Sequence, residues 1–385
     1  MDHPALLWLA ALTAAGLAAA FGELAVGGRR LRNLHDVAPL APPAMPAVSV
    51  VIAARNEARA IEPALRSVLA QEGERVEVVV VDDRSDDATG AILDRMAAGE
   101  PRLRVVHVRE LPAGWLGKTH ALQVGAAAAG GELLLFTDAD VRMRPDTLRR
   151  AAAYLLGEGL DHLTVAPRVV MPGAFLQAFG VAFGLFFSLF AKPWKVRDPR
   201  SRSHVGIGAF NLLRADAYRR IGSHEAIRMR PDDDMKLGKL VKKHRLAQDF
   251  LFGAGQISVE WYASVGEAVR GLRKNGFAGV DYRLHVVVLA TIAQLLVFVF
   301  PFVAVALTTG PARLLNAVAV AIMLGTYAGA ARAQRLPAWH AVFFPATSLL
   351  FLAALWNSTA YTLRHRGIEW RGTHYPLDEL RANRV

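Results

Sequence analysis

The sequence predicts an α/β domain around a mostly parallel sheet, carried between apolar α-helices at both ends of the chain. Three observations lead there. Short, continuous runs of β-branched residues alternate with helix-periodic segments between residues 48 and 136. Apolar runs of about 20 residues, the length that crosses a bilayer core, flank that region. Acidic clusters stand where the strands would end, and in open parallel sheets ligands collect beyond those ends.

The bulk composition agrees. Of 385 residues, 53% are hydrophobic and the mean hydropathy is positive, which is high for a wholly soluble domain. The formal charge of +11, from 45 Lys+Arg against 34 Asp+Glu, suits anionic lipid, phosphorylated substrates or nucleic acid. Nucleic acid would call for a basic stripe with interleaved aromatics or a known module; neither appears, so no nucleic-acid partner is expected. Much of the basic charge instead flanks apolar segments, as at a membrane surface. With no cysteine, disulfides, thiolate metal sites and cysteine nucleophiles are excluded.

Residues 1–30 read as an N-terminal anchor. Ala5 to Val26 is apolar, and Arg29, Arg30 and Arg32 follow it. A signal peptide carries its charge in the opposite order, so the anchor is expected to stay uncleaved. The positive-inside rule then puts the following domain in the cytoplasm. Residues 31–47, with Pro39, Pro42, Pro43 and Pro46, read as an extended linker.

Residues 284–363 hold about three further crossings: Leu284–Leu307, Leu314–Ala331 and Trp339–Leu363. The tail, residues 364–385, is basic, with Arg364, Arg366, Arg371, Arg381 and Arg384. Three crossings place it outside, whereas its arginines want it inside. Another apolar run, residues 174–191, carries six phenylalanines. It lies between two acidic motifs assigned below to one site, so it is expected to be interfacial or half-inserted. In residues 262–280, Val265, Ala268, Val269, Leu272 and Gly276 define an amphipathic interface helix whose Arg270, Arg273 and Lys274 either form a solvated basic face or touch diphosphate or lipid headgroups.

The domain proper is residues 48–283. Val48–Ala53 is a buried strand; Ile61, Leu65, Val68 and Leu69 mark a helix; Val76–Val81 is a second strand ending at Asp82-Asp83. Asp86–Met96 is helical, with Ser85 or Asp86 as its cap. A strand over Leu103–Val108, a helix over Thr119–Ala129 and a strand over Leu133–Phe136 follow, the last running into Asp138-Ala139-Asp140. There is no G-x-G-x-x-G for a dinucleotide. The stretch DDRSDDATG lacks the glycine and closing glutamate of a calcium loop.

Several features carry chemistry, each with a plainer reading beside it. Asp138 and Asp140 flank one small residue, so their carboxylates can converge on a hard cation; they also suit a solvated turn. Lys118 follows Gly117 at a helix start, where it would meet phosphate or simply solvent. Asp232-Asp233-Asp234 suits a helix N-terminus, and crowded carboxylates raise one another's pKa. The glycines of Gly206–Asn211 allow close approach to a ligand, or form an ordinary loop before a strand. Trp194, Lys195 and Arg197 make a basic-aromatic patch suited to an interface or a snorkelling anchor.

Taken together, Ala54-Arg55-Asn56-Glu57, Asp82-Asp83-Arg84-Ser85, Gly117 to Leu122 and Thr137 to Asp140 resemble, in order and spacing, family 2 glycosyltransferases with the GT-A fold. The likeness continues through Gly206–Arg214 and Asp232–Leu237. The anchoring pattern is similar to a bacterial subset acting on carotenoid, hopanoid or other lipid acceptors. The resemblance implies that Ala54, Arg55, Asn56, Glu57, Asp82, Asp83, Lys118 and Asp138 bind a nucleotide-diphosphate sugar, a UDP-sugar being favoured. It implies that Asp138 and Asp140 hold Mg2+ or Mn2+, and that Gly206, Gly208 and Trp194 lie on the acceptor side. It further implies that Asp233 and Asp234 form the catalytic pair, with Asp234 as general base; Asp233 stands where glutamate is usual. The Gln-x-x-Arg-Trp motif of processive members is missing, which favours transfer of a single sugar.

The expected activity is inverting, metal-dependent transfer to a membrane lipid, in a multi-pass protein of the bacterial plasma membrane whose catalytic domain faces the cytoplasm. A polyisoprenyl-phosphate glycosyltransferase is the alternative. A non-catalytic nucleotide-sugar-binding protein or transporter fits less well, since the C-terminal spans hold essentially no ionisable residue. Gly367–Gly372 is similar to tails of the lipid-acting subset and has no assigned role.

Overall fold

Two units, one helical and one built on a sheet, make up the chain in a computed structural model that describes residues 4–73 and 75–385. The sheet unit comprises Leu31–Val169, Pro193–Glu260 and Glu369–Val385. Its main strands, in chain order, are β1 (Arg32–Asn33), β2 (Val48–Ala54), β3 (Val76–Asp83), β4 (Leu103–Val108) and β5 (Leu133–Asp138). There follow β6 (Val141–Met143), β7 (His162–Ala166), β8 (Arg168–Val170), β9 (Asn211–Arg214), β10 (Gln248–Phe252) and β11 (Ile257–Glu260). Eight of them form one sheet in the order β1-β10-β7-β9-β5-β2-β3-β4, and β6, β11 and β8 form a small second sheet. Only β9 runs antiparallel to its neighbours, β5 and β7, in the large sheet.

The apolar runs become strands because both faces of the sheet are covered. Successive side chains alternate sides: Val50, Ile52, Val78, Val80, Leu133 and Leu135 enter one core, whereas Val51, Leu134 and Phe136 enter the other. Helices Ile61–Leu69, Thr89–Ala97 and Gly117–Ala128 occupy the crossovers between parallel strands. The second of these begins later than its sequence suggests. Ser85 and Asp86 do not cap it: the Asn56 amide donates to Ser85 Oγ (3.1 Å), and the Asp86 amide donates to Asn56 Oδ1 (3.0 Å). Asp87 instead accepts from the Thr89 amide (2.9 Å).

The helical unit gathers the described residues up to Arg30, together with Val170–Lys192 and Trp261–Ile368. It holds five helices long and apolar enough to cross a membrane: Pro4–Gly28, Gly173–Lys195, Leu284–Leu307, Gly310–Ala333 and Ala338–Arg364. Their shared core contains Leu17, Phe21, Val181, Met323 and Tyr327. Two polar side chains within these helices find backbone partners inside the unit: Asn316 Nδ2 donates to the Ala312 carbonyl (2.9 Å), and Tyr327 donates to the Ala178 carbonyl (2.7 Å). The segment read as an amphipathic interface helix forms Val265–Gly271, capped by Ser264, and Arg273–Gly276. Its Arg273 is not simply solvated. The guanidinium donates to Asn357 Oδ1 (3.0 Å) and lies 4.3 Å from the centre of the Tyr361 ring.

The proline-rich stretch after the first helix departs from a free linker. Arg32–Asn33 pairs with β10, and the Leu40 amide donates to the Arg149 carbonyl (3.3 Å). Leu34 and Met45 are buried in the core of the sheet unit. Leu34→Ala is therefore expected to destabilise the protein by about 2–5 kcal/mol, as for any large core truncation. Chemical denaturation of the purified chain checks this; a stability equal to that of the wild type would mean that the stretch is not docked.

Candidate active site

Register brings the polar clusters together. Ala54 stands opposite Asp82, and Ala53 opposite Asp138, so the carboxyl ends of β2, β3 and β5 finish side by side. Asn56 turns the chain after β2 in the left-handed region (φ 55°), a conformation that asparagine tolerates well. At the end of β3 the two acids point into different networks. Asp82 lies 2.9 Å from Nδ1 of His107, whose Nε2 is 2.9 Å from Asp94. Asp83 accepts two bonds from Arg84 (2.7 and 3.0 Å) and lies 3.8 Å from Arg55.

The helix carrying Lys118 is fixed at its start by one carbonyl. Both the Leu116 amide (2.9 Å) and Thr119 Oγ1 (2.6 Å) donate to the Arg228 oxygen, just before the second acidic cluster. Lys118 Nζ then stands 2.8 Å from Asp138 and 3.5 Å from Asp233. Lys118, Asp138, Asn211, Gly208, Asp233 and Asp234 line a single small pocket, with His224 and apolar residues behind them. Asp232, the first of the three aspartates, is taken up elsewhere: Arg230 clamps it with two bonds (2.9 and 3.0 Å).

Asp234 opens the helix Asp233–Lys243. Its carboxylate accepts from the Gly208 amide (2.9 Å) and the Met235 amide (2.7 Å). The glycines of the 206–208 loop make room for these acids. A methyl group at Gly206 would fall 1.8 Å from the Asp234 carbonyl oxygen, and one at Gly208 would fall 2.6 Å from Asp138 Oδ2. What the glycines let approach within the folded chain is thus the pair of acidic segments. Trp194 lies half-buried on the short helical turn Pro193–Lys195 and is not among the pocket-lining residues.

The electrostatics follow from this crowding. Burial alone would lower the Lys118 ammonium, but Asp138, Asp233 and Asp234 outweigh it and raise its pKa far above the usual lysine range. Burial raises Asp234, an effect opposed by Lys118 and by the two backbone amides. Burial also pushes Asp140 up to about 7, with Asp138 and then Glu57 adding to the shift. Glu57 is raised by burial against the pull of Arg371.

A divalent cation is what the sequence resemblance implies, and the donor set fits one. Among the described residues no group of three histidines, aspartates or glutamates is arranged to hold a metal; Asp138 and Asp140, the residues that the resemblance implies, offer two carboxylates. Mg2+ is commonly held by one or two carboxylates, with water and substrate phosphate oxygens completing its shell. The strain on Asp140 from neighbouring negative charge is what a cation would relieve. Arg55 Nε is buried without a hydrogen-bond partner and would find one in an anionic ligand.

Sequence reasoning missed His107 and His224, and it gave no role to Arg84 although that residue stands in a recognised motif. It also missed the C-terminal contacts of Arg371 and Tyr375 with the strand ends. The two histidines are lone residues without a motif; Arg371 and Tyr375 lie in a tail segment whose pattern is visible but whose target is not.

Residues 49–222 match the family described as Glycosyl transferase family 2. The chain is 44% identical over 137 residues to the succinoglycan biosynthesis protein ExoO of Rhizobium meliloti (strain 1021), covering 33% of this chain and 38% of that protein. It is 25% identical over 219 residues to the 4,4'-diaponeurosporenoate glycosyltransferase of Staphylococcus haemolyticus (strain JCSC1435), covering 56% of each. These matches therefore span 38% and 56% of the relatives' lengths. Among solved structures, the mannosyltransferase PcManGT from Pyrobaculum calidifontis, in complex with GDP-Man and Mn2+, shares the fold. The TM-score is 0.53 at 20% identity, covering 90% of this chain and 97% of that one.

Lys118→Met tests the bridge directly. Removing the ammonium leaves Asp138, Asp233 and Asp234 mutually repelling, at a cost of about 1–3 kcal/mol at neutral pH, less than for a fully buried pair because Lys118 keeps some exposure. The attraction exists only while the carboxylates are ionised, so the deficit should shrink as pH falls through their range. Thermal unfolding of both proteins across pH measures this; equal stability at neutral pH would contradict the bridge.

Proposed function

We propose that the chain, whose residues 49–222 match the family described as Glycosyl transferase family 2 and which shares the fold of a mannosyltransferase, moves one sugar from a nucleoside diphosphate sugar to a lipid hydroxyl at a membrane surface. The observation that carries this reading is the meeting of Asp138, Asp233 and Asp234 around Lys118 in one pocket. Donor and acceptor chemistry then share a site. The first strand end, Ala54 to Glu57, and Asp82-Asp83 form the nucleotide side. A UDP-sugar is the favoured donor; the GDP-Man held by the structural neighbour makes a GDP-sugar the competing case.

Asp234 takes the proton of the acceptor hydroxyl. Two backbone amides orient its carboxylate, and burial makes it more basic than an exposed aspartate. The acceptor oxygen forms its bond to the anomeric carbon as the bond to the diphosphate oxygen breaks. Single displacement inverts that carbon and releases the nucleoside diphosphate. Lys118 supplies positive charge to the pocket in which negative charge grows. Asp138 and Asp140 would hold Mg2+ or Mn2+, which when bound neutralises the leaving diphosphate as a Lewis acid. A phosphate acceptor would need little help from a base, so a buried, oriented Asp234 favours a hydroxyl over a polyisoprenyl phosphate. The missing Gln-x-x-Arg-Trp motif favours a single transfer over polymer synthesis.

Lipid as acceptor rests on the five apolar helices, on the phenylalanine-rich helix Gly173–Ala191, and on the relative named for 4,4'-diaponeurosporenoate. The path of the chain also constrains its membrane topology. It leaves the sheet unit at Trp261 and returns to it at Glu369. Both points then stand on one side of the membrane, and the three apolar helices between them cross an even number of times, one being re-entrant or interfacial. The same reasoning supports an interfacial or half-inserted Gly173–Ala191, since the chain leaves at Val170 and returns at Pro193. With the arginines after the first helix, this favours a sheet unit and a tail that face the bacterial cytoplasm.

Asp234→Asn and Asp140→Asn are each expected to lower sugar transfer at least about 100-fold while leaving the unfolding midpoint near that of the wild type. Mass spectrometry of lipids from membranes with and without each protein, followed by assay of purified protein on the lipid found, measures this. Wild-type rates from Asp234→Asn would remove the proposed base.

A further inference from the structure

After the last apolar helix the chain forms a hairpin, β12 (Gly367–Trp370) and β13 (Thr373–Pro376), and then the helix Leu377–Ala382. The hairpin turns at Arg371 and Gly372, both left-handed (φ 50° and 73°). This tail is packed rather than loose: Tyr375, Leu377 and Leu380 are buried. At the far end, Asn383 accepts from the Met229 amide (3.0 Å) and donates to the Ala226 carbonyl (3.1 Å).

The tail reaches the strand ends that form the nucleotide side of the site. Arg371 pairs with Glu57 and donates to the Asn56 carbonyl (3.3 Å). Thr373 Oγ1 accepts from Arg55 Nη1 (3.3 Å). The Tyr375 hydroxyl accepts from the Gly117 amide (3.1 Å), next to Lys118, and also hydrogen-bonds with Arg84, the partner of Asp83. Three side chains of one short hairpin therefore engage all three segments Arg55–Glu57, Asp83–Arg84 and Gly117–Lys118. A hairpin that served only to anchor the tail would have no need of a guanidinium here. Arg371 is part-exposed (43% of its side chain) and places a cation beside Glu57, which feels the charge of Asp138 and acts in turn on Asp140.

We propose that the C-terminal hairpin is a wall of the donor site, in which Arg371 binds the diphosphate of the nucleoside diphosphate and Tyr375 is a positioning residue for Gly117 and Lys118. This rests on the reading of these strand ends as a nucleotide pocket. A planar guanidinium suits phosphate oxygens, and it can swing from Glu57 to a more highly charged diphosphate without leaving the pocket edge.

The test uses the full chain in detergent or nanodiscs, with UDP, GDP and UMP as probes in the presence of Mn2+, by calorimetric titration. Wild type is expected to bind UDP or GDP, and Asp140→Asn to lose that binding. Arg371→Ala should weaken the diphosphate at least about tenfold, the loss of a charge-assisted contact, with Arg371→Lys recovering part of it. The loss for UMP should be smaller than for UDP, which a merely structural role would not produce. Tyr375→Phe keeps the packing and should weaken both nucleotides. If the wild type binds no nucleoside diphosphate, the donor reading fails and this inference falls with it. If the wild type binds but Arg371→Ala binds equally well, or loses UMP and UDP alike, the assignment of Arg371 is overturned while the donor reading stands.

Discussion

One ammonium group holds together two acidic segments that lie almost a hundred residues apart in the chain. Lys118 Nζ touches Asp138 at the end of β5 and Asp233 at the start of the helix Asp233–Lys243. Without a cation at that point, the carboxylates of Asp138, Asp233 and Asp234 would repel one another inside a partly desolvated pocket. Much of the local architecture serves this contact. The Arg228 carbonyl pins the lysine's helix to the loop before the second acidic cluster, and the backbone amide of Gly208 pins Asp234. Gly206 and Gly208 have no room for a side chain because the two acidic segments close upon them.

The sheet explains why such a site exists at the ends of β2, β3 and β5. Parallel strands in register finish together, and the antiparallel β9 enters beside β5, with Asn211 paired to Phe136. That single reversal delivers the 206–210 loop to the neighbourhood of Asp138, where the Asp138 amide donates to the Gly208 carbonyl (3.1 Å). The helical excursions of the chain leave from and return to the same unit.

Much of this was legible in the sequence, for physical reasons. Val48–Ala54 and Val76–Asp83 are continuous apolar runs because both faces are buried, so their identity as strands needed no partner to be known. The acidic clusters were visible because carboxylates at strand ends are few and ordered. Three features were not legible. The helix after β3 starts at Thr89 because Ser85 and Asp86 are committed to Asn56, a contact made through tertiary structure. Leu34 and Met45 look like linker residues in a proline-rich stretch, and only the packed core reveals their burial. The tail's Arg371 and Tyr375 find targets more than 250 residues away, which no local pattern encodes. The glycines of the 206–208 loop were recognised as close-approach residues, but their partners are Asp138 and Asp234 of the chain itself.

The central claim is that Lys118 makes one working site of two acidic clusters, and a double-mutant cycle on sugar transfer tests it most directly. Lys118→Met, Asp233→Asn and the double variant would be assayed side by side with the wild type. The account predicts strong coupling, with the double variant scarcely slower than the worse single one, because each change breaks the same bridge. If the two effects multiply as independent losses, Lys118 and Asp233 act in separate places and the account is wrong.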